Sequence, residues 1–181
     1  MLAPIDWPRF HKDLPVTFVI SVVNIGFWAI FNLGLMAPFI SYGGQLNIAS
    51  YLAHFSHISL LHLISNMLIV LLMGVALERY VGWWRYLLMV LLVWILSVLG
   101  LWYFNDGAVL GFSGIGMGLM VLAYFYWQDA PQMAQMIGVL VLLNIVFGFM
   151  PGVSWQGHAI GALSGFAAYG LIRFAQIGQS R

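Results

Sequence analysis

The chain has 181 residues, 63% hydrophobic and 6% charged, with a mean hydropathy of +0.98 and a formal net charge of +1. A water-facing surface ordinarily draws on about a quarter charged residues, so a soluble enzyme, a nucleic-acid binder and a disordered tail are excluded together. Cysteine is absent, which removes disulfide frameworks, Cys-ligated metals and thiol nucleophiles. What remains is an all-α, polytopic membrane protein.

The charges fall at Asp6, Arg9, Lys12, Asp13, Glu78, Arg79, Arg85, Asp106, Asp129, Arg173 and Arg181. A membrane span needs about 20 mostly apolar residues, and the uncharged stretches between these positions hold six. Helix 1 is predicted over Pro15–Met36. A Pro- and Gly-containing segment, Ala37–Ile58, is too polar to cross and too apolar to leave, and is expected at the interface. Helix 2 follows over Ser59–Leu77, helix 3 over Tyr86–Asn105 and helix 4 over Gly107–Gln128. The turn chemistry of Phe149–Gln156 splits the next apolar stretch into helix 5 (Met133–Gly148) and helix 6 (Gly157–Phe174). The expected organisation is a cytoplasmic segment 1–14, a six-helix domain 15–175 and a tail 176–181.

Orientation follows from the cations. With both termini cytoplasmic, Arg9, Lys12, Arg79, Arg85, Arg173 and Arg181 all lie inside. No small-residue cleavage site precedes helix 1, which reads as a retained signal anchor in a cell (inner) membrane. Trp83, Trp84, Trp102, Trp127 and Trp155 stand at predicted helix ends, as an aromatic belt requires. Trp28 and Trp94 fall mid-span and read as packing residues.

Polar groups inside a bilayer mark candidate sites, and here they are His54, His57, His62, Asn66, Ser113 and His158. Helices 2, 4 and 6 start on the outer side, so His62, Asn66, Ser113 and His158 share one depth. Ser113 lies seven residues after Asp106, at most about 10 Å below the surface at 1.5 Å per helical residue. A serine hydroxyl needs a base to remove its proton, and histidine is the usual one. Ser113 sits in Gly111-Phe112-Ser113-Gly114 at a predicted helix N-terminus, where backbone N–H groups favour a developing oxyanion. His62 and Asn66, four apart, share one helix face and can add donors to that oxyanion hole. With no carboxylate at this depth, a Ser113–His158 dyad is more economical than a triad. Gly114 and Gly118, with Gly161 and Gly165, form two small-xxx-small faces that allow close helix approach. His54 and His57 read as interfacial or loop-holding residues, Glu78 and Arg79 as a cytoplasmic helix end, and His11 as a solvated residue.

At this point the chain resembles the rhomboid intramembrane serine proteases. Gly111-Phe112-Ser113-Gly114 resembles the family's GxSG, and His158-x2-Gly161-x3-Gly165 its HxxGxxxG. His57-x4-His62-x3-Asn66 resembles HxxxxHxxxN, and Gly74-x3-Glu78-x3-Gly82 resembles GxxxExxxG. The resemblance runs from helix 1 through helix 6 and is to the minimal six-helix prokaryotic type. It implies Ser113 as nucleophile, His158 as base, and His62 and Asn66 at the oxyanion. It also implies membrane-protein substrates whose transmembrane helices enter from the bilayer and are cut near the outer face, on the extracytoplasmic side. A flexible Phe149–Val153 loop would cap the site. Two positions depart from the family. No Arg lies between Asp13 and Glu78 to form the first-loop Trp-Arg pair, and Met117 stands where many members carry a tyrosine stacked on the histidine.

No cofactor, metal or nucleic acid is implied, and nothing sets the oligomeric state. Two other readings compete. One is a catalytically silent rhomboid-like protein that binds client helices. The other is a haem or metal protein ligated by His62 and His158, with His57 as a further ligand, although HExxH and carboxylate ligands are missing.

Overall fold

The structure, a computed structural model, describes residues 5–177; the expected cation Arg181 lies outside them. Six long helices dominate: α1 (Pro15–Asn32), α2 (Leu60–Val81), α3 (Trp83–Phe104), α4 (Ser113–Tyr126), α5 (Pro131–Phe147) and α6 (Trp155–Ile177). Among the described residues α1, α2 and α3 are long and apolar enough to cross a bilayer, and α4 and α5 are apolar but shorter.

α4 is the centre of the bundle. Every residue from Gly114 to Ala123 is buried, and α4 packs on α6, α5, α3 and the middle of α2. A helix apolar on all sides is one enclosed on all sides. Between lipid-exposed helices the hydrophobic effect contributes little, so association rests on close packing, and the glycines supply it. A Cβ at Gly161 would collide with the Gly114 backbone, and one at Gly165 with the Gly118 backbone. The two predicted small-residue faces therefore meet, backbone against backbone.

The outer surfaces of α2 and α5 expose Leu61, Ile64, Leu68, Leu142 and Val146. In water such a continuous apolar surface is an aggregation liability; against acyl chains it is the solvated face. Trp83, Trp84, Trp102 and Trp155 are exposed at helix ends, where indoles favour the membrane–water boundary. Trp94 is a packing residue with a second task, since its Nε1 donates to the Tyr51 carbonyl at 3.1 Å.

Several expected boundaries move. Helix 1 ends at Asn32 rather than Met36, and helix 2 runs on to Val81, with a π-helical turn at Val70–Gly74. Helix 4 begins at Ser113 and not at Gly107, because Ala108–Val109 (β2) pairs antiparallel with Ser41–Tyr42 (β1). The helical rise from Asp106 to Ser113 therefore does not apply. The 37–58 segment is also more than an interfacial coil. It contains β1, a short helix Ile48–Leu52 and a tight turn Ala53–Phe55, and it buries Ser50, His54, Ser56 and His57. Its backbone is tied to the bundle by Gly44 N–H to Trp102 O at 2.8 Å and by Gly111 N–H to Ala53 O at 2.9 Å.

Candidate active site

Three helix starts and one loop build the site. Ser59 caps α2, its hydroxyl accepting from His62 N–H at 3.1 Å; this sets His62 in the first turn and Asn66 one turn further. Gly111, at φ +107°, turns the chain from β2 into α4, and Phe112 is driven into the core, where its ring centroid lies 5.9 Å from that of Phe55. Ser113 is then the first residue of α4. The amide hydrogens of a helix's first turn have no intrahelical acceptor, so this end is suited to negative charge. Ser154 starts α6: its hydroxyl accepts from Gly157 N–H at 3.0 Å and its carbonyl from His158 N–H at 3.1 Å.

The result is one cleft of ≈ 680 Å³ whose walls include Ser113, His158, His62 and Asn66, together with Asn144 of α5. The four residues singled out from the sequence are thus brought together, from α2, α4 and α6. Among the described residues no Asp, Glu, Lys or Arg lines the cleft. Pro151, Gly152 and Val153 form part of its rim, which is where a capping loop was expected.

His158 is mostly buried, and its Nδ1 lies 2.7 Å from the backbone carbonyl of Asn144. A carbonyl only accepts, so Nδ1 carries the hydrogen and Nε2 keeps its lone pair. His62 packs against the Cα face of Gly111 and edge-on to His57, with ring centroids 4.9 Å apart. Asn66 Nδ2 donates to the His62 carbonyl at 2.8 Å, and its buried Oδ1 meets no partner among the described residues. One of the two Nδ2 hydrogens is thus used inside α2, and the other meets no acceptor among the described residues.

His54 and His57 are not at a wet interface: both are buried where the 37–58 segment folds against the bundle. Desolvation pushes each imidazole down to about 4 from its ordinary value of 6.5; His62 adds to the effect at His57, and the Gly111 backbone opposes it at His54. Glu78 is buried too, and is more than a helix end. Its carboxylate accepts from Val16 N–H (2.9 Å), Thr17 N–H (2.8 Å) and the Thr17 hydroxyl (2.7 Å), capping α1 from α2.

Residues 44–176 match the family model described as the Rhomboid domain, a match over most of the chain. The chain belongs to the rhomboid family. It is therefore a multi-pass membrane protein built as a polytopic helical bundle. Among similar proteins, rhomboid-type serine protease 2 of Emericella nidulans is 34% identical over 122 residues, covering 62% of this chain and 24% of that protein. Rhomboid protease GluP of Bacillus subtilis is 30% identical over 132 residues, covering 68% and 26% respectively. An uncharacterized protein of Mycobacterium tuberculosis is 32% identical over 124 residues, covering 59% and 51%. The chain thus spans between a quarter and half of the length of these relatives.

Two features of this rhomboid-family chain, one in the site and one at the far end of α2, are not legible in the sequence. The Asn144 carbonyl is a backbone group, which no residue pattern announces. The Glu78 cap depends on α1 and α2 lying side by side, although a carboxylate closing a long uncharged stretch was the available signal. Met117, in place of the tyrosine found in many members, is 1% exposed and belongs to the core cluster. Among the described residues no group of three or more His, Asp or Glu converges as a metal site would require.

Proposed function

We propose that this chain is an intramembrane serine endopeptidase that cleaves transmembrane-helix substrates near the outer membrane face. The supporting observation is the convergence of Ser113, His158, His62 and Asn66 from three helices in one cleft that no carboxylate lines among the described residues. In this reading Ser113 Oγ attacks the scissile carbonyl carbon while His158 Nε2 takes the hydroxyl proton. The oxyanion is met by the first-turn N–H groups of α4, by His62 and by the second Nδ2 hydrogen of Asn66. The imidazolium then hands its proton to the departing amine, leaving an acyl-Ser113 ester. Water, deprotonated by the same Nε2, hydrolyses the ester and restores the serine.

The arrangement proposed is six spans over the 15–175 domain, with both termini cytoplasmic and the cleft open to the extracytoplasmic side. α4 has 14 residues, about 21 Å at 1.5 Å per residue, against a hydrocarbon core of about 30 Å. With Trp127 at the inner boundary, Ser113 falls about 10 Å short of the outer one. In this reading the depth of Ser113 comes from the shortness of α4 and not from a helical rise after Asp106. Shortness also lets water reach a serine inside the membrane by way of the cleft.

The test is a serine-directed fluorophosphonate applied to the detergent-solubilised protein. Labelling is expected for the natural sequence and lost in both Ser113→Ala and His158→Ala. Labelling that survives Ser113→Ala overturns the assignment. A folded protein that takes no label and cuts no model transmembrane substrate favours the silent, client-binding reading, and a Soret band would favour the haem one.

A further inference from the structure

His158 is held from outside its own helix. The Asn144 carbonyl that accepts from Nδ1 at 2.7 Å also accepts from Gly148 N–H at 3.0 Å, using both lone pairs. The Asn144 side chain takes no part, since its amide turns back to the Leu140 carbonyl at 2.8 Å. The orienting group is therefore a backbone atom of α5, in the place where a triad would put a carboxylate.

The last turn and a half of α5 is lightly packed. Its buried residues are Ala134, Ile137 and Val141, none beyond residue 141, and Leu142, Leu143, Val146 and Phe147 are exposed. Below Asn144 lies an apolar hollow of ≈ 660 Å³ between α4, α5 and α6, bordered by Val121, Val141, Ile145, Ala159 and Ala162. Beyond Asn144 the outer end of α5 is held against Trp155. Gly148 lies so close to Trp155 that a Cβ would overlap the Trp155 backbone, and the Phe149 and Trp155 rings stack at 5.3 Å and 10°.

We propose that α5 is part of the catalytic apparatus: the Asn144 backbone carbonyl positions His158 and makes the competence of the base depend on where the outer half of α5 stands. This rests on the Ser113–His158 reading above. With the bond made, the imidazole is locked as the Nδ1–H tautomer and presents the Nε2 lone pair to Ser113. A displacement of α5 by about 1 Å stretches a 2.7 Å bond beyond hydrogen-bond length. The ring is then free to rotate and to change tautomer, and the base is lost although no catalytic side chain has been altered. Asn144 is thus a positioning residue, acting through His158 and not on the substrate.

The experiment uses the full chain in lipid nanodiscs with ring-¹⁵N histidine, the His158 signals assigned by difference from His158→Ala. In the natural sequence the resting ring is expected as Nδ1–H; a dominant Nε2–H form overturns the proposal. Replacing Ile145 by its α-hydroxy acid turns the Asn144 carbonyl into an ester carbonyl, a poor acceptor. Cleavage of a model transmembrane substrate should then lose at least ten-fold in kcat with KM within two-fold, and the Nε2–H form should appear. The same replacement at Leu143 removes a comparable helix bond and should change kcat less than two-fold. Gly148→Ala, which pushes the end of α5 off Trp155, should act in the direction of the Ile145 ester. Equal losses from the two esters, or an unchanged tautomer in the Ile145 ester and in Gly148→Ala, refute the positioning role. Absence of Ser113-dependent cleavage in the natural sequence would instead remove the protease reading, while the tautomer measurements still decide the bond.

Discussion

The imidazole of His62 occupies the space that a side chain at Gly111 would fill: a Cβ there would lie 2.6 Å from Nε2 and 2.7 Å from Cε1. The same glycine has φ +107° and donates its N–H to the Ala53 carbonyl at 2.9 Å. Gly111 is thus required twice, by its backbone conformation and by the ring against it. Through this contact the first turn of α2 is registered against the first turn of α4, which holds His62 beside the residue that precedes Phe112 and Ser113.

Gly111→Ala is expected to cost about 1–3 kcal/mol from backbone strain alone, and to move His62 as well. The phosphonate labelling rate of Ser113 should fall at least ten-fold while the protein still purifies as a helical monodisperse species. Labelling at the natural rate would mean that Ser113 does not depend on the position of His62.

The second prediction concerns Glu78. Its carboxylate takes the place of an N-cap side chain for α1, using donors that the first turn of any helix leaves free. Charge-assisted bonds of this kind contribute about 1.5–3 kcal/mol, and the positive end of the α1 dipole favours the anion. Glu78→Gln should therefore lower stability by about 2 kcal/mol and Thr17→Val by about 1–2 kcal/mol. The double variant should lose less than the sum, because one hydrogen bond is shared. Unfolding by SDS titration in mixed micelles reads all three, and full additivity would show that the Thr17 hydroxyl bond carries no weight.

These two cases mark what could be read from the residues in advance. Ser113, His158, His62 and Asn66 were legible because membrane thickness and charge placement assign depth to any polar residue in a span. Gly114, Gly118, Gly161 and Gly165 were legible because spacing places them on a face. The start of α4 was not: Gly107 to Phe112 is apolar and uncharged, and hydropathy does not distinguish an extended strand pairing with Ser41–Tyr42 from a turn of helix. The burial of His54 and His57 was hidden for the same reason, since it depends on how the 37–58 segment folds back on the bundle. Backbone acceptors such as the Asn144 carbonyl leave no trace in residue identity.

The buried loop histidines make stability depend on pH. Each is held neutral, at about 4 in the folded protein against 6.5 for an ordinary imidazole. Between those values the unfolded chain binds the proton and the folded chain does not, so folding stability rises with pH across this window. It is fully present above about 6.5 and is lost as pH falls toward 4, by a few kcal/mol for the two together. The apparent unfolding midpoint should drop steeply from pH 6.5 to 4.5. His57→Phe should flatten the slope without abolishing folding at pH 7.5. A midpoint independent of pH over this range would show that both rings are wetter than their burial indicates.

The last prediction sets two glycines of α6 against each other. A Cβ at Gly170 meets nothing within 4 Å, whereas one at Gly161 runs into the backbone of Gly114. Gly170→Ala should therefore stabilise the helix by up to about 1 kcal/mol, the ordinary gain in helix propensity. Gly161→Ala forces α4 and α6 apart, and because the obstacle is backbone no rotamer change can relieve it; overpacking of this kind costs about 1–3 kcal/mol. The functional effect should be larger than the loss of stability suggests. His158 is less than one turn from Gly161 on the same helix, and Ser113 is adjacent to Gly114, so the separation opens where the hydroxyl must reach the imidazole. Phosphonate labelling should fall at least ten-fold in Gly161→Ala at a temperature where the protein remains folded, and stay within two-fold in Gly170→Ala. If Gly161→Ala unfolded at a lower temperature yet labelled normally when folded, close packing of the two helices would serve stability alone.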